Sequence, residues 1–137
     1  VSLVLDCSVA LAWCFRDEAS EAGDALLDDL PELAPLVPAL WHLEIGNVLL
    51  MAERRGRITS AQLQEHLALL RGLPLETDDE APARTLPAVL ALAGGHRLTA
   101  YDAAYLELAV RRGASLATRD SALARAARSV GVKLRQA

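Results

Sequence analysis

At 137 residues, 53% apolar and 23% charged, the chain is long enough to form one domain, 1–137, around a real core, and its composition excludes a disordered polymer. A formal net charge of −4 gives no global attraction to nucleic acid. No apolar run reaches membrane-spanning length and no charged-then-apolar leader opens the chain, so a cytoplasmic protein without membrane contact is expected.

Val1 to Leu5 is a short apolar run rich in β-formers and ended by Asp6, which predicts a central strand. Ser8 is placed to cap a helix from Val9 to about Phe15. A second helix is predicted from Glu21 to Leu30, with Pro31 and Pro35 marking a loop before a strand at Leu36-Val37. Pro38 precedes a long helical pattern, Ala39 to about Arg55, whose apolar face carries Trp41, Ile45, Val48, Leu49 and Ala52 and which Gly56 stops. Thr59 or Ser60 caps the next helix, Ala61 to Arg71. Leu73 to Thr77 alternates like a strand, and Pro74 suggests an edge position. Ala83 to Ala93 reads as a helix despite Pro87, with Gly94-Gly95 as its stop.

Then comes the stretch from Thr99 to Asp120. Asp102 opens a helix whose covered side holds Tyr105, Leu106, Leu108, Ala109 and Val110, and Gly113 ends it. Ala114 to Thr118 reads as a buried strand with Asp120 just past its end. Asp120 or Ser121 caps a last helix, Ala122 to about Val130, and Val132 to Leu134 reads as a final strand. Strands alternating with helices predict an α/β fold, a sandwich whose mainly parallel sheet of about five strands is covered on both faces. A helix and the strand after it run in opposite directions, so the helix start and strand end share one edge, where open α/β sheets bind ligands.

Four acids stand out by their surroundings: Asp6, Glu44, Asp102 and Asp120. Each sits beside apolar sequence, where a charge is costly without a partner or cation. Carboxylates with positions left for water suit Mg²⁺ or Mn²⁺. Taken singly, the plainer readings compete. Asp102 and Asp120 fit as helix caps or first-turn acids, Asp6 as the start of a turn, and Glu44 as a solvent-facing residue. Ser8 and Thr118 each lie two residues from an acid and Asn47 lies at i+3 from Glu44, so all three could orient carboxylates or simply bond locally. His42, His66 and His96 lack metal-ligand spacing. Cys7 and Cys14 have no second pair to complete a zinc site and read as buried free thiols. The chain opens at Val1 rather than Met, so a residue or two is expected to be missing or processed.

The segments VLDCSVALAW, HLEIGNVLL, LTAYDAAYLELA and LATRDSALARAA together resemble the PIN-domain nucleases, most of all the VapC toxins of bacterial toxin–antitoxin pairs. The resemblance spans nearly the whole chain, in order, and the set of four acids with Thr118 carries it. It implies a three-layer α/β/α sandwich and a Mg²⁺- or Mn²⁺-dependent endoribonuclease. Asp6, Glu44, Asp102 and Asp120 then form the metal-binding and catalytic cluster, supported by Ser8, Asn47 and Thr118. It also implies an RNA substrate, a homodimer and a cognate antitoxin with a basic segment that covers the site. Two alternatives stay open: a catalytically silent PIN-fold scaffold and a phosphoacceptor receiver domain. The second is disfavoured because no acid follows Leu36-Val37 and Lys133 falls inside the last strand.

Overall fold

The computed structural model describes residues 2–137, so Val1, expected in the first strand, lies outside the described residues. Strand β1 (Leu3–Leu5) is buried at every position, as a central strand covered on both faces must be. It pairs in parallel with β2 (Leu36–Val37) on one side and β4 (Ser115–Ala117) on the other, in the registers Val4 to Leu36 and Val4 to Leu116. β3 (Glu76–Thr77) adds in parallel outside β2, giving the order β3-β2-β1-β4. Both β3 residues are exposed, in keeping with the edge that Pro74 suggested.

The chain thus builds outward from β1 to β2 and β3, then returns to the other flank of β1 with β4. The order reverses between β1 and β4, so a crevice is expected at the carboxyl ends of these two strands. Helices flank the sheet. α6 (Ala100–Arg112) packs on β1 and β4 and is itself covered by α5 (Pro82–His96). α3 (Leu40–Arg54) packs on α1 (Cys7–Ala12) and α4 (Ser60–Arg71). α2 (Glu21–Leu33) and α7 (Ser121–Ser129) complete the set, with a 3₁₀ turn at Arg16–Glu18. No helix is long and apolar enough to cross a membrane among the described residues.

Several expected elements shift. The fifth strand is reduced to one parallel bridge, Leu116 to Leu134. The N–H of Val132 goes to the carbonyl of Ala127 at the end of α7, so only the peptides around Leu134 reach Leu116. α1 begins at Cys7, directly after the N–H of Asp6 bonds the carbonyl of Ala117, so Ser8 lies inside the first turn and is not its cap. α2 runs past Pro31 to Leu33 and turns at Ala34, which adopts φ 43°. α5 continues through Gly94-Gly95, and the left-handed residue that ends it is Arg97, at φ 55°, closed by Leu98 N–H to the Ala93 carbonyl. α6 begins before Asp102. Thr99 is its cap, accepting from the Asp102 N–H at 3.1 Å.

Two helix faces also differ in detail. Val48 is partly exposed, and Trp41, Ile45, Leu49 and Ala52 form the covered stripe of α3. Val110 is half exposed and faces a hollow with Gly113, Ala114 and Val130. Glu107 is buried instead, its charge met by Arg111 at 2.9 Å, which also grips Asp78 at 2.6 Å. Removing one side of such a network strands a buried charge.

Candidate active site

Asp6 follows the last residue of β1 and is 4% exposed. Its Oδ2 accepts from the Ser8 hydroxyl at 2.8 Å and from the Thr118 hydroxyl at 2.6 Å. Each hydroxyl also accepts. Ser8 takes the Arg119 N–H at 3.0 Å, and Thr118 takes the Asp120 N–H at 3.0 Å. The loop after β4 is therefore laced to the end of β1 through two hydroxyls. Ser8 has this role because α1 starts early enough to bring it back over Asp6.

Asp120 is the N-cap of α7, its Oδ1 accepting from the Leu123 N–H at 2.8 Å. The plain capping role thus holds for this acid and also fixes its carboxylate just past the end of β4. Asp102 sits in the first turn of α6, where the helix dipole favours a negative charge. Glu44 comes from α3, and its Oε1 accepts from the Tyr105 hydroxyl at 2.5 Å. Tyr105 is fully buried on α6, so this bond ties α3 to α6.

The charges of neighbouring acids act on the Glu44 and Asp102 carboxyls. Burial pushes the Glu44 carboxyl up, and the charges of Asp6 and Asp102 raise it further, against the Tyr105 bond. Burial also raises the Asp102 carboxyl, followed by the charges of Asp120 and Asp6, with the Thr99 bond working the other way. Burial raises the Cys7 thiol too, helped by Asp6 and Glu44, so Cys7 is a poor nucleophile between them. Cys14 is pushed up to about 11 by burial and by Glu18. Both thiols are free, and each is partly rather than fully buried.

Among the described residues, no basic side chain pairs with Asp6, Glu44, Asp102 or Asp120, while other acids do have arginine partners. Nor do any three acids, histidines or cysteines stand close enough to enclose one cation among the described residues. The donor set fits a divalent cation by chemistry: oxygen ligands, uncompensated negative charge and hydroxyls that orient a carboxylate. Asn47 makes no hydrogen bond to the four acids. It is exposed and lines a hollow with Met51 and Arg55. His42 is exposed and bonds Thr77 at 2.9 Å.

Two residues of the site carry little signal in the sequence. Tyr105 reads there as one residue of an apolar face, although its i+3 spacing from Asp102 places both on one side of α6. Arg119 lies between Thr118 and Asp120, and nothing in its own spacing marks it.

The raised carboxyls give a pH signature. A carboxyl raised in the folded state contributes stability that is full below its unfolded value and is lost as pH rises through the folded value. In chelator, a Glu44→Gln, Asp102→Asn double variant should therefore melt above the parent at neutral pH. The difference should close as pH falls below about 4, the ordinary carboxylate range. A gap that stays constant across this range would show that the two carboxyls are not repelled in the folded protein.

A PIN domain model matches residues 3–129. Ribonuclease VapC3 of Pyrobaculum aerophilum is 33% identical over 128 residues, covering 90% of this chain and 93% of the relative. Among solved structures, PAE2754 of the same organism superposes with a TM-score of 0.66 at 24% identity, over 92% of this chain and 84% of that one. FitAcB of Neisseria gonorrhoeae gives 0.68 at 20% identity, over 98% and 96%. Both of these show the shared fold. From the matched family model and this curated relative, the chain belongs to the PIN-domain family and is of the VapC type.

Proposed function

We propose that this chain is a Mg²⁺- or Mn²⁺-dependent endoribonuclease, the cytoplasmic toxin of a toxin–antitoxin pair. The observation that carries the reading is the edge where β1 and β4 end. Asp6 after β1, Glu44 on α3, Asp102 on α6 and Asp120 in the β4–α7 loop bring carboxylates together there, and among the described residues no basic side chain pairs with them. The VapC3 relative, named a ribonuclease, supports the same reading.

Asp6, Glu44, Asp102 and Asp120 would hold the cation, in part through its bound waters. A divalent ion bound there supplies Lewis-acid polarisation of a phosphate and lowers the pKa of water. The protein does the rest. Ser8 and Thr118 fix the Asp6 carboxylate, Tyr105 fixes Glu44, and the α7 cap fixes Asp120. A carboxylate of this cluster is suited to take the proton that an attacking water gives up. The water oxygen bonds to phosphorus, the bond to the 3′-oxygen breaks, and that oxygen leaves with a proton. One product carries a 5′-phosphate and the other a 3′-hydroxyl.

The purified chain should cut single-stranded RNA with Mg²⁺ or Mn²⁺ and stop in chelator. Duplex should resist, because paired backbone is held away from in-line geometry. Cleavage that persists undiminished in chelator would end the metal-dependent reading. Tyr105→Phe removes one hydrogen bond from Glu44, so metal affinity should fall about tenfold or more, read from Mn²⁺-dependent melting. An unchanged Mn²⁺ titration would mean that Tyr105 serves the core alone.

The uncompensated acids also suit a basic segment of a cognate antitoxin. Deleting that segment should relieve inhibition, and unchanged inhibition would exclude it. Leu86, Leu90 and Tyr101 are exposed on α5 and the start of α6 and offer apolar surface for a homodimer. Sedimentation at micromolar concentration tests it.

A further inference from the structure

An acidic cluster on an acidic protein poses an electrostatic problem for a polyanionic strand. A cation can meet the charge of the phosphate that is cut. The phosphates beside it need positive charge from the protein itself. Most arginines near acids are engaged. Arg57 forks onto Asp17 at 2.9 Å and Glu18 at 3.2 Å, and also lies 4.0 Å over the Phe15 ring. Arg111 and Arg112 are held by Asp78 and Arg135 by Asp29.

Arg119 differs. It sits between Thr118 and Asp120, and Ser8, the same hydroxyl that bonds Asp6, fixes its backbone N–H. Its guanidinium reaches the 3₁₀ turn and donates from Nη1 to the backbone carbonyl of Glu18. No carboxylate pairs with it among the described residues. A guanidinium has five N–H donors, and one carbonyl uses few of them. The groove it borders is lined with Cys7, Ser8, Glu18, Val48 and Arg57, the Glu18 carboxylate being held by Arg57, and encloses about 490 Å³. That groove starts at the two residues after Asp6, so it leads away from the acid cluster. Hydrogen bonds hold Arg119 in place, so little entropy is lost when it grips a ligand.

Resting on the nuclease reading above, we infer that Arg119 is a positioning residue that binds a phosphate of the single RNA strand next to the one cut, through the groove between the β4–α7 loop and the 3₁₀ turn. It touches no reacting atom. It sets where the strand lies, so its loss weakens binding more than the chemical step.

The test is RNA binding by the full chain in chelator, where the strand stays intact, measured by fluorescence anisotropy of a short unstructured RNA across a salt series. Arg119→Gln should weaken binding and reduce the slope of log K against log salt by about 0.7, the value for one phosphate contact on a single strand. Arg119→Lys should restore the slope, since it keeps the charge. With metal, Arg119→Gln should raise KM about tenfold and leave kcat within about twofold, as lost uniform binding does. Melting temperatures of all three proteins check that the strap to Glu18 is not the whole effect. An unchanged slope and KM in Arg119→Gln, with cleavage intact, would overturn the proposal and leave the nuclease reading standing. The expected slope change in a chain that never cuts RNA would uphold the contact and remove the nuclease. Failure of the parent to bind or cut RNA both in chelator and with Mg²⁺ or Mn²⁺ would remove both. Weakened antitoxin binding with an unchanged RNA slope would assign Arg119 to the protein partner and overturn the RNA contact.

Discussion

Asp102→Asn is expected to slow RNA cleavage about a thousandfold at equal metal, since losing several kcal/mol of charge stabilisation is worth a factor of ten per 1.4 kcal/mol. The chelated protein should meanwhile melt at or above the parent temperature. Both parts follow from one fact. Burial, and then the charges of Asp120 and Asp6, push the Asp102 carboxyl up, so its own charge is unfavourable to the fold at neutral pH. Asparagine keeps the shape and removes the charge. The Thr99 hydroxyl accepts from the backbone N–H of residue 102, which asparagine keeps, so the start of α6 survives. Mn²⁺ should raise the melting temperature of the parent and do little for the variant. If the variant loses activity only because it unfolds, the melting curve will show it.

Leu116→Ala should do the reverse. Leu116 is fully buried at the middle of β4, paired with Val4 and bridged to Leu134. Truncating it opens a cavity under the strand that carries Thr118 and Asp120, at a cost of about 3 kcal/mol. For a domain of this size the melting temperature should fall by about 10 °C. Well below that transition, kcat should stay within a few-fold of the parent. The backbone pairing of Leu116 with Lys133 and Arg135 is independent of the side chain and holds the loop in register. A melting temperature within about 2 °C of the parent would mean that the packing around β4 is looser than its burial indicates. Together the two variants separate chemistry from scaffold.

The sequence announced most of this edge because the strands are short and their ends are marked. β1 is a run of apolar residues stopped by Asp6, and β4 a run stopped just before Asp120, so the placement of both acids could be read from the chain. The edge position of β3 was legible from Pro74. Capping chemistry was legible at Thr59, whose hydroxyl and the Gln62 side chain form a reciprocal pair. What could not be read depends on tertiary contact. Gly94-Gly95 looks like a stop, yet α5 packs along α6 and extends one turn further, and the left-handed residue falls on Arg97. Glu107 is buried against Arg111, whose fork is also held by Asp78, a residue that only the pairing of β3 brings near. The contact of Ser8 with Asp6 was legible from their spacing, but its second partner, the Arg119 N–H, comes near only when β1 and β4 pair. Tyr105 looks like core because its acceptor is on another helix, 61 residues away.

The measurement that bears most directly on the account is end-group analysis of a defined single-stranded RNA cut by the purified chain in Mg²⁺ or Mn²⁺. Hydrolysis by water predicts a 5′-phosphate on one fragment and a 3′-hydroxyl on the other, with both products absent in the Asp102→Asn reaction. A 2′,3′-cyclic phosphate would contradict it, since that end forms only when the neighbouring 2′-hydroxyl attacks, and the carboxylates at the end of β1 and β4 would then have no part in activating water.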